Sequence, residues 1–184
     1  MTFPTELLEQ ISKASITTSF VVDAAGNFVN AEGNSRGIGN KTDLELLGVL
    51  RRNSQVVLTS GLTARRDSYV MPKTADLAIF TSQGVSELNL TEKPGQRLHL
   101  IGPPLANSYS EAQQAVISLG YSRVHVEFGV MGLKALIDQI DLLVVSSVEK
   151  VGVQKFSKAH NLQIAQIYQL PDLAIATVFG RGRS

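Results

Sequence analysis

The sequence predicts a three-layer α/β fold, a mostly parallel central sheet with helices on both faces. Two observations predict it. Short runs rich in valine and isoleucine recur along the chain, and most do not alternate between apolar and polar residues, which is typical of strands covered on both faces. Helical signals separate several of these runs. The length of 184 residues suits one domain, so we expect residues 1–184 to form a single domain.

The chain opens with a short amphipathic helix, predicted over Met1–Lys13 because Leu7, Leu8 and Ile11 share one face. It lacks the basic lead and the long apolar run of a signal peptide. The predicted strands follow at Ile16–Val22, Gln55–Thr59, Leu77–Thr81, Leu98–Ile101, Arg123–Phe128, Asp141–Ser147 and Leu173–Phe179.

The helix predicted after the first strand has signals at both ends. Thr42 and Glu45 have the spacing of a capping box, in which each side chain satisfies a backbone N–H group near the other residue. The pair Arg51-Arg52 closes the helix, where cations suit the helix dipole.

Two further helices are predicted in the second half of the chain. Ser110 and Gln113 form another capping box, and Gly120 has the character of a C-terminal cap. The next helix is predicted from about Val130 to Gln139. With the strands around them, these helices make a pair of βαβ units from Leu98 to Ser147, and such crossovers are right-handed almost without exception.

Composition excludes several classes of function. The chain has no cysteine, which removes disulfides, thiolate metal sites and cysteine nucleophiles. Its net charge of +1 gives no overall attraction to nucleic acid or to an acidic membrane. No run reaches the roughly 18 apolar residues of a membrane helix, and no histidine has a partner at metal-ligand spacing. We expect a cytoplasmic protein with no metal, nucleic-acid partner or membrane segment.

The segment Gly33–Thr42 looks like a phosphate-binding loop but fails as one. A P-loop needs glycine before the Lys-Thr pair and again five residues earlier, and these positions hold Asn40 and Ser35. The pair Gly37 and Gly39 also begins a dinucleotide fingerprint, but Thr42 stands at the third glycine position.

Two other glycine segments are better candidates for a ligand site. The segment Thr59–Thr63 follows a strand and offers hydroxyls and free amides to a phosphate or ribose. The segment Phe128–Gly132 joins a strand to a helix, whose N-terminus attracts anions. A tight turn explains the first glycine segment equally well, and close strand–helix packing explains the second.

Five segments, taken in order, carry a resemblance to a known family. They are Thr18–Asp23 followed by Gly26, Gly33–Ile38, Leu50–Arg52, Gln55–Tyr69, and Val126–Gly129 followed by Ile140-Asp141. Their order and composition resemble the reductase domain of the bifunctional deaminase/reductase of riboflavin biosynthesis, especially its short stand-alone relatives. The resemblance implies a dihydrofolate-reductase-like fold with an antiparallel C-terminal edge.

The sequence departs from the family pattern at several positions. Gly37 stands at the family's tryptophan, and Phe128 replaces the first glycine of a glycine pair. Two extra residues separate Asp23 from Gly26, and Leu142 replaces an acidic residue. These changes leave the fold expectation intact and bear on the identity of the substrate.

The resemblance also implies a reaction and a set of site residues. Family members take a hydride from NADPH and reduce the ribosyl group of a phosphorylated ribosylaminopyrimidine to a ribityl chain. The residues that would contact NADPH are Gly61, Thr63, Ser82, Gly129, Val130 and Met131. Those that would face the substrate are Asp23, Ser35 and Asp67, with Asp67 or water as candidate proton donor. For both aspartates, turn capping is the competing interpretation.

Two other functions remain open at this point. One is a reductase of the same fold that acts on another carbonyl, imine or pterin-like substrate, and the other is a nucleotide-binding module without turnover. The family usually pairs through a sheet edge. We expect a homodimer, because Leu173–Phe179 would otherwise be an exposed apolar edge strand.

Overall fold

A computed structural model of the chain describes residues 2–35 and 37–180. Met1, Arg36 and residues 181–184 lie outside the described residues. The predicted helix Met1–Lys13 and the segment Gly33–Ile38 each include one of them. The helices of the described part are α1 (Thr5–Lys13), α2 (Lys41–Arg52), α3 (Gly61–Arg66), α4 (Tyr109–Ser118), α5 (Gly129–Leu136) and α6 (Lys150–Ala159). Its strands are β1 (Ile16–Val21), β2 (Val56–Ser60), β3 (Asp76–Phe80), β4 (Leu98–Ile101), β5 (Val124–Glu127), β6 (Leu142–Ser147), β7 (Gln166–Gln169) and β8 (Ala174–Phe179).

The chain divides into two compact units. The terminal unit combines Met1–Leu50 with Asp138–Ser184, and the central unit is Arg51–Ile137. The expectation of a single domain over residues 1–184 stays a prediction. Among the described residues, no helix is both long and apolar enough to cross a membrane.

In the terminal unit, β1 pairs in parallel with β6, and β8 pairs antiparallel with both β6 and β7. All six residues of β6 are buried, so this strand shows no alternation. The hydrophobic core of the terminal unit packs α1 and α2 against the strands. It contains Leu7, Ile11, Leu46, Leu50, Leu142, Val144, Leu173 and Ile175.

The four strands of the central unit are all parallel. Strand β2 pairs with β3 on one side and with β5 on the other, and β4 pairs with β3. The five residues of β2 are buried, as expected for a strand covered on both faces. A core cluster packs Val57, Leu77 and Ile79 against Ala64 and Tyr69.

The predicted α/β fold with mostly parallel strands and an antiparallel C-terminal part is confirmed. All seven predicted strands are present, and each of their ends matches the prediction or differs from it by one residue. Strand β7 was not predicted, because its four residues begin and end with glutamine and leave no apolar run. Helices α3 and α6 were also missed.

The physical reason given for a homodimer is wrong. The run Leu173–Phe179 contains β8, which is hydrogen-bonded to β6 on one side and to β7 on the other. It is therefore an interior strand, and it needs no second molecule to cover it. The dimer itself stays a prediction without that argument.

The N-caps predicted at Thr42 and Ser110 each lie two residues after the observed N-cap. The Asp43 N–H group donates to the Asn40 side chain at 3.0 Å, while the Thr42 hydroxyl donates to Asp172 at 2.6 Å. At α4, Ser108 accepts from the N–H group of Glu111, and the Glu111 carboxylate accepts from the N–H group of Asn107. Asn40 and Ser108 are therefore the N-caps.

The end of α4 matches its prediction. Gly120 follows the helix with φ of +96°, the left-handed conformation of a glycine cap.

We predict that Ser108→Ala lowers the free energy of unfolding by about 1 kcal/mol, because the first turn of α4 loses its side-chain acceptor. Chemical denaturation measures this loss. Ser110→Ala is the matched control, since Ser110 lies inside the first turn and does not cap it. A larger loss for Ser110→Ala than for Ser108→Ala would contradict the observed cap.

Candidate functional site

The carboxyl ends of three parallel strands lie side by side in the central unit. Ser60 at the end of β2 pairs with Phe80 at the end of β3, and Phe80 pairs with Ile101 at the end of β4. In parallel α/β sheets, ligands bind at this edge, where the loops after the strands gather.

A cavity of about 360 Å³ opens at this edge. Its walls come from the β2–α3 junction, the residues after β3 and β4, and the start of α4. The lining residues are Ser60, Gly61, Leu62, Arg65, Phe80, Thr81, Ser82, Gln83, Pro103, Ala106, Asn107 and Tyr109. Two of the predicted cofactor residues, Gly61 and Ser82, therefore share one cavity.

The first glycine segment is a helix start rather than an isolated turn. Ser60 caps α3 by accepting from the Thr63 N–H group at 3.1 Å, and its own hydroxyl donates to the Thr63 hydroxyl at 2.9 Å. A Cβ atom at Gly61 would lie 2.6 Å from Thr81 Oγ1 and 2.9 Å from Arg65 Nη1. Glycine is thus needed here so that Thr81 and Arg65 can approach the backbone.

Arg65 is the cationic group of the cavity, and the sequence analysis did not single it out as a site residue. Its Nη2 donates to the Gly84 carbonyl at 2.6 Å, and its Nε donates to the Glu87 carboxylate. The remaining nitrogen, Nη1, is the one that approaches Gly61.

The second glycine segment lies beside the first. Thr59 pairs with Glu127, and the Thr59 hydroxyl donates to the Glu127 carbonyl at 3.0 Å. Gly129 then begins α5 with φ of +70°, and a Cβ added there would meet no atom within 4 Å. Val130 is half-buried, and Met131 is 67% exposed. The three predicted residues therefore form an open helix start, next to but outside the lining of the cavity.

Phe128, which stands where the resemblance places the first glycine of a pair, has a packing role. Its ring lies 4.8 Å from that of Tyr109 and 6.2 Å from that of Phe80, and both of these rings line the cavity. A Cβ at Gly132 would lie 2.1 Å from the Phe128 side chain. Gly132 is therefore the packing glycine of this segment.

A half-buried ion pair holds the end of β5. Arg51 binds both carboxylate oxygens of Glu127 at 2.8 Å, and it also donates to the Tyr69 hydroxyl at 2.7 Å. The Tyr69 hydroxyl donates in turn to Glu127. Burial raises the pKa of Glu127, but the guanidinium of Arg51 outweighs it and holds this pKa below its usual value. Burial, and then Glu127, raises the pKa of Tyr69.

His125 extends this network into the core. Its side chain is 0% exposed, and its Nε2 lies 3.5 Å from Glu127 Oε1. Burial lowers the pKa of His125 to about 4, despite the attraction of Glu127. The ring is therefore neutral at pH 7.

The predicted substrate residues lie outside the described lining of this cavity. Asp23 follows β1, and its carboxylate accepts from the N–H groups of Ala25 and Asn27, each at 2.8 Å. These bonds, led by the one from Asn27, lower the pKa of Asp23. Ser35 is half-buried in a loop. Asp67 caps the far end of α3, with Arg66 Nε 4.0 Å from its carboxylate.

Asp23 therefore makes the side-chain turn contacts of the interpretation that competes with a substrate role, whereas Asp67 holds the C-cap position through its backbone N–H group. Among residues 2–35 and 37–180, no three histidine, aspartate or glutamate side chains group as metal ligands would.

Comparison with solved structures relates this fold to known reductases. A pyrimidine reductase-like protein from Corynebacterium diphtheriae superposes with a TM-score of 0.65 at 15% identity, over 96% of this chain and 94% of that one. The riboflavin biosynthesis reductase of Saccharomyces cerevisiae gives 0.65 at 11%, over 97% and 92%. Dihydrofolate reductase from Enterococcus faecalis, complexed with NADP(H), gives 0.55 at 10%, over 90% and 96%.

These likenesses show that the chain has the dihydrofolate-reductase-like fold that its sequence predicted. No protein-family model matches the chain, and no curated protein matches it by sequence.

We predict that the free energy of unfolding falls as the pH drops from about 6.5 to about 4. In this window the unfolded chain protonates His125 and the folded protein does not, because the folded pKa is about 4. One group shifted this far from 6.5 accounts for about 3 kcal/mol. Denaturation at a series of pH values measures it. His125→Gln should flatten the slope in this window, and an unchanged slope would contradict the assignment to His125.

Proposed function

We propose that the protein is an NADPH-dependent reductase that resembles 5-amino-6-(5-phosphoribosylamino)uracil reductase, and that it acts on a phosphorylated ribosylaminopyrimidine. The observation that carries the proposal is the cavity at the ends of β2 and β3, which combines Gly61, Arg65 and Ser82. This combination of a close backbone, a guanidinium and a hydroxyl suits a phosphate-bearing ligand. The fold shared with an NADP(H)-bound reductase supports it.

The residues around the cavity fit such a cofactor. Arg65 and Ser82 offer donors to an adenosine ribose or to its 2′-phosphate, and Gly61 and Thr63 flank them on α3. The open space where a Cβ of Gly129 would stand leaves room for a pyrophosphate against the backbone of Val130 and Met131. The positive end of the α5 dipole favours that anion.

The cofactor, when bound, supplies a hydride. The rest of the reaction depends on the protein. Reduction of an open-chain imine at the ribosyl C1′ would also need a proton at the imine nitrogen, which Asp67 or water would supply. Asp23 and Ser35 are proposed to bind the ribose or the pyrimidine, and the carboxylate of Asp23 is suited to accept hydrogen bonds from hydroxyls.

A second function is favoured by the departures from the family pattern. Gly37 stands where the family pattern has a tryptophan, and Phe128, whose ring is buried, stands where the pattern has a glycine. The Phe128 ring packs against the rings of Phe80 and Tyr109, which line the cavity, so this change bears on the shape of the cavity wall. A reductase of the same fold with another carbonyl, imine or pterin-like substrate accounts for both departures, and a nucleotide-binding module without turnover is the remaining alternative. A homodimer and a cytoplasmic location belong to the proposal.

We predict that the protein binds NADPH with micromolar-range affinity and more tightly than NADH, because Arg65 favours the additional phosphate. Isothermal titration calorimetry with each cofactor measures this. NADPH oxidation in the presence of the pyrimidine substrate then separates the first function from the second. Equal or absent binding of the two cofactors would refute the proposal.

We predict that Gly129→Ala weakens NADPH binding at least tenfold, about 1.4 kcal/mol, because the added methyl occupies the space assigned to the pyrophosphate. The positive φ also costs the folded state about 1–2 kcal/mol. Gly120→Ala is the matched control, since Gly120 has a positive φ and open space at its Cβ position.

The control should lose similar stability and keep its NADPH affinity. Normal NADPH binding by Gly129→Ala would remove this glycine from the site, which would then rest on Gly61 and Thr63.

A further inference from the structure

The guanidinium of Arg65, which lines the cavity, already forms an ion pair with the carboxylate of Glu87. Glu87 lies in the loop after β3, and it accepts a hydrogen bond from Nε of Arg65. On the same side of the guanidinium, Nη2 donates to the Gly84 carbonyl at 2.6 Å. Arg65 therefore faces the cavity with part of its donor set in use and with its charge balanced by a neighbour.

The pairing is suited to competition because it is only loosely held. The side chain of Glu87 is 50% exposed and that of Arg65 is 30% exposed. Hydrogen bonds from its own backbone and from Arg65 lower the pKa of Glu87, so it is charged at neutral pH. Exposed ion pairs of this kind contribute little stability, so exchange of one anionic partner for another costs little.

The surroundings of Arg65 show where a second anion can approach. Its Nη1 lies beside Gly61, where an added Cβ would be 2.9 Å from it, and Gly61 lines the cavity together with Thr81. Ser82 lines the same wall and is exposed. A phosphate bound there would gain from Arg65 and would be repelled by the carboxylate on the other side of the guanidinium.

We propose that Glu87 is a specificity-determining residue, which competes with a nucleotide phosphate for Arg65 and thereby limits the preference of the cavity for a 2′-phosphorylated over an unphosphorylated dinucleotide. The inference rests on the proposed function, because it assigns the cavity to the adenosine end of the cofactor. Cofactor binding alone does not require a carboxylate that competes for Arg65.

The test is Glu87→Gln, which keeps an oxygen acceptor for Arg65 and removes the negative charge. Titration calorimetry at low and constant ionic strength should show about fivefold tighter NADPH binding and unchanged NADH binding. Glu9→Gln is the control for net charge, since it removes one exposed carboxylate from the terminal unit. It should leave both affinities unchanged.

A second variant separates action through Arg65 from general repulsion. In an Arg65→Lys background, which keeps the cation but loses the Nε and Nη2 donors, Glu87→Gln should change NADPH affinity by less than twofold. If Glu87→Gln leaves NADPH affinity unchanged, weakens it, or tightens NADPH and NADH equally, the inference is overturned.

Adenosine 2′,5′-bisphosphate distinguishes this failure from failure of the proposed function. If neither dinucleotide binds but Glu87→Gln tightens the bisphosphate, the competition stands and the reductase assignment fails. If the wild-type protein prefers NADPH and the variant keeps the same ratio of affinities, the reductase assignment stands and the competition is overturned.

Discussion

The parallel alignment of β2 with β3 and β5 is the constraint on which the candidate site depends. Because these strands run in one direction and are paired to their last residues, the chain leaves all three at the same edge. After each strand the chain continues into a loop or a helix. Helices α3 and α5 begin two residues after Thr59 and Glu127, which are paired, so their first residues are neighbours. The cavity follows from the register of β2 with β3 and of β3 with β4, because these three strands end side by side and the residues after them meet there.

The Arg51–Glu127 pair shows how charge is held beside that edge. The carboxylate lies at the end of β5, two residues before Gly129, and burial alone would favour its neutral form. A two-point contact with Arg51 and a hydrogen bond from Tyr69 keep it ionised. The two charges therefore balance each other within the central unit, and Arg65, paired with Glu87, is the cationic side chain in the lining of the cavity.

Local sequence patterns predicted much of the fold and only part of the site. Seven strands and the glycines at two strand ends could be predicted, since apolar runs and glycine positions are properties of short segments. The N-caps were predicted two residues too late, because Thr42 and Ser110 are residue types that cap helices as well as Asn40 and Ser108 do. The Arg51–Glu127 pair spans 76 positions, and the Arg65–Glu87 pair depends on a loop path, so no local pattern could indicate either one.

The packing of Phe128 against Gly132 limits the order in which this segment can change during evolution. A Cβ atom at position 132 would lie 2.1 Å from the Cβ atom of Phe128 and 2.9 Å from the first atom of its ring. Replacement of Phe128 by glycine would remove both contacts, whereas loss of the ring alone would leave the first. The accessible route is therefore replacement of Phe128 by glycine first and growth at position 132 second. The two positions are epistatic, and related chains should show them changing together.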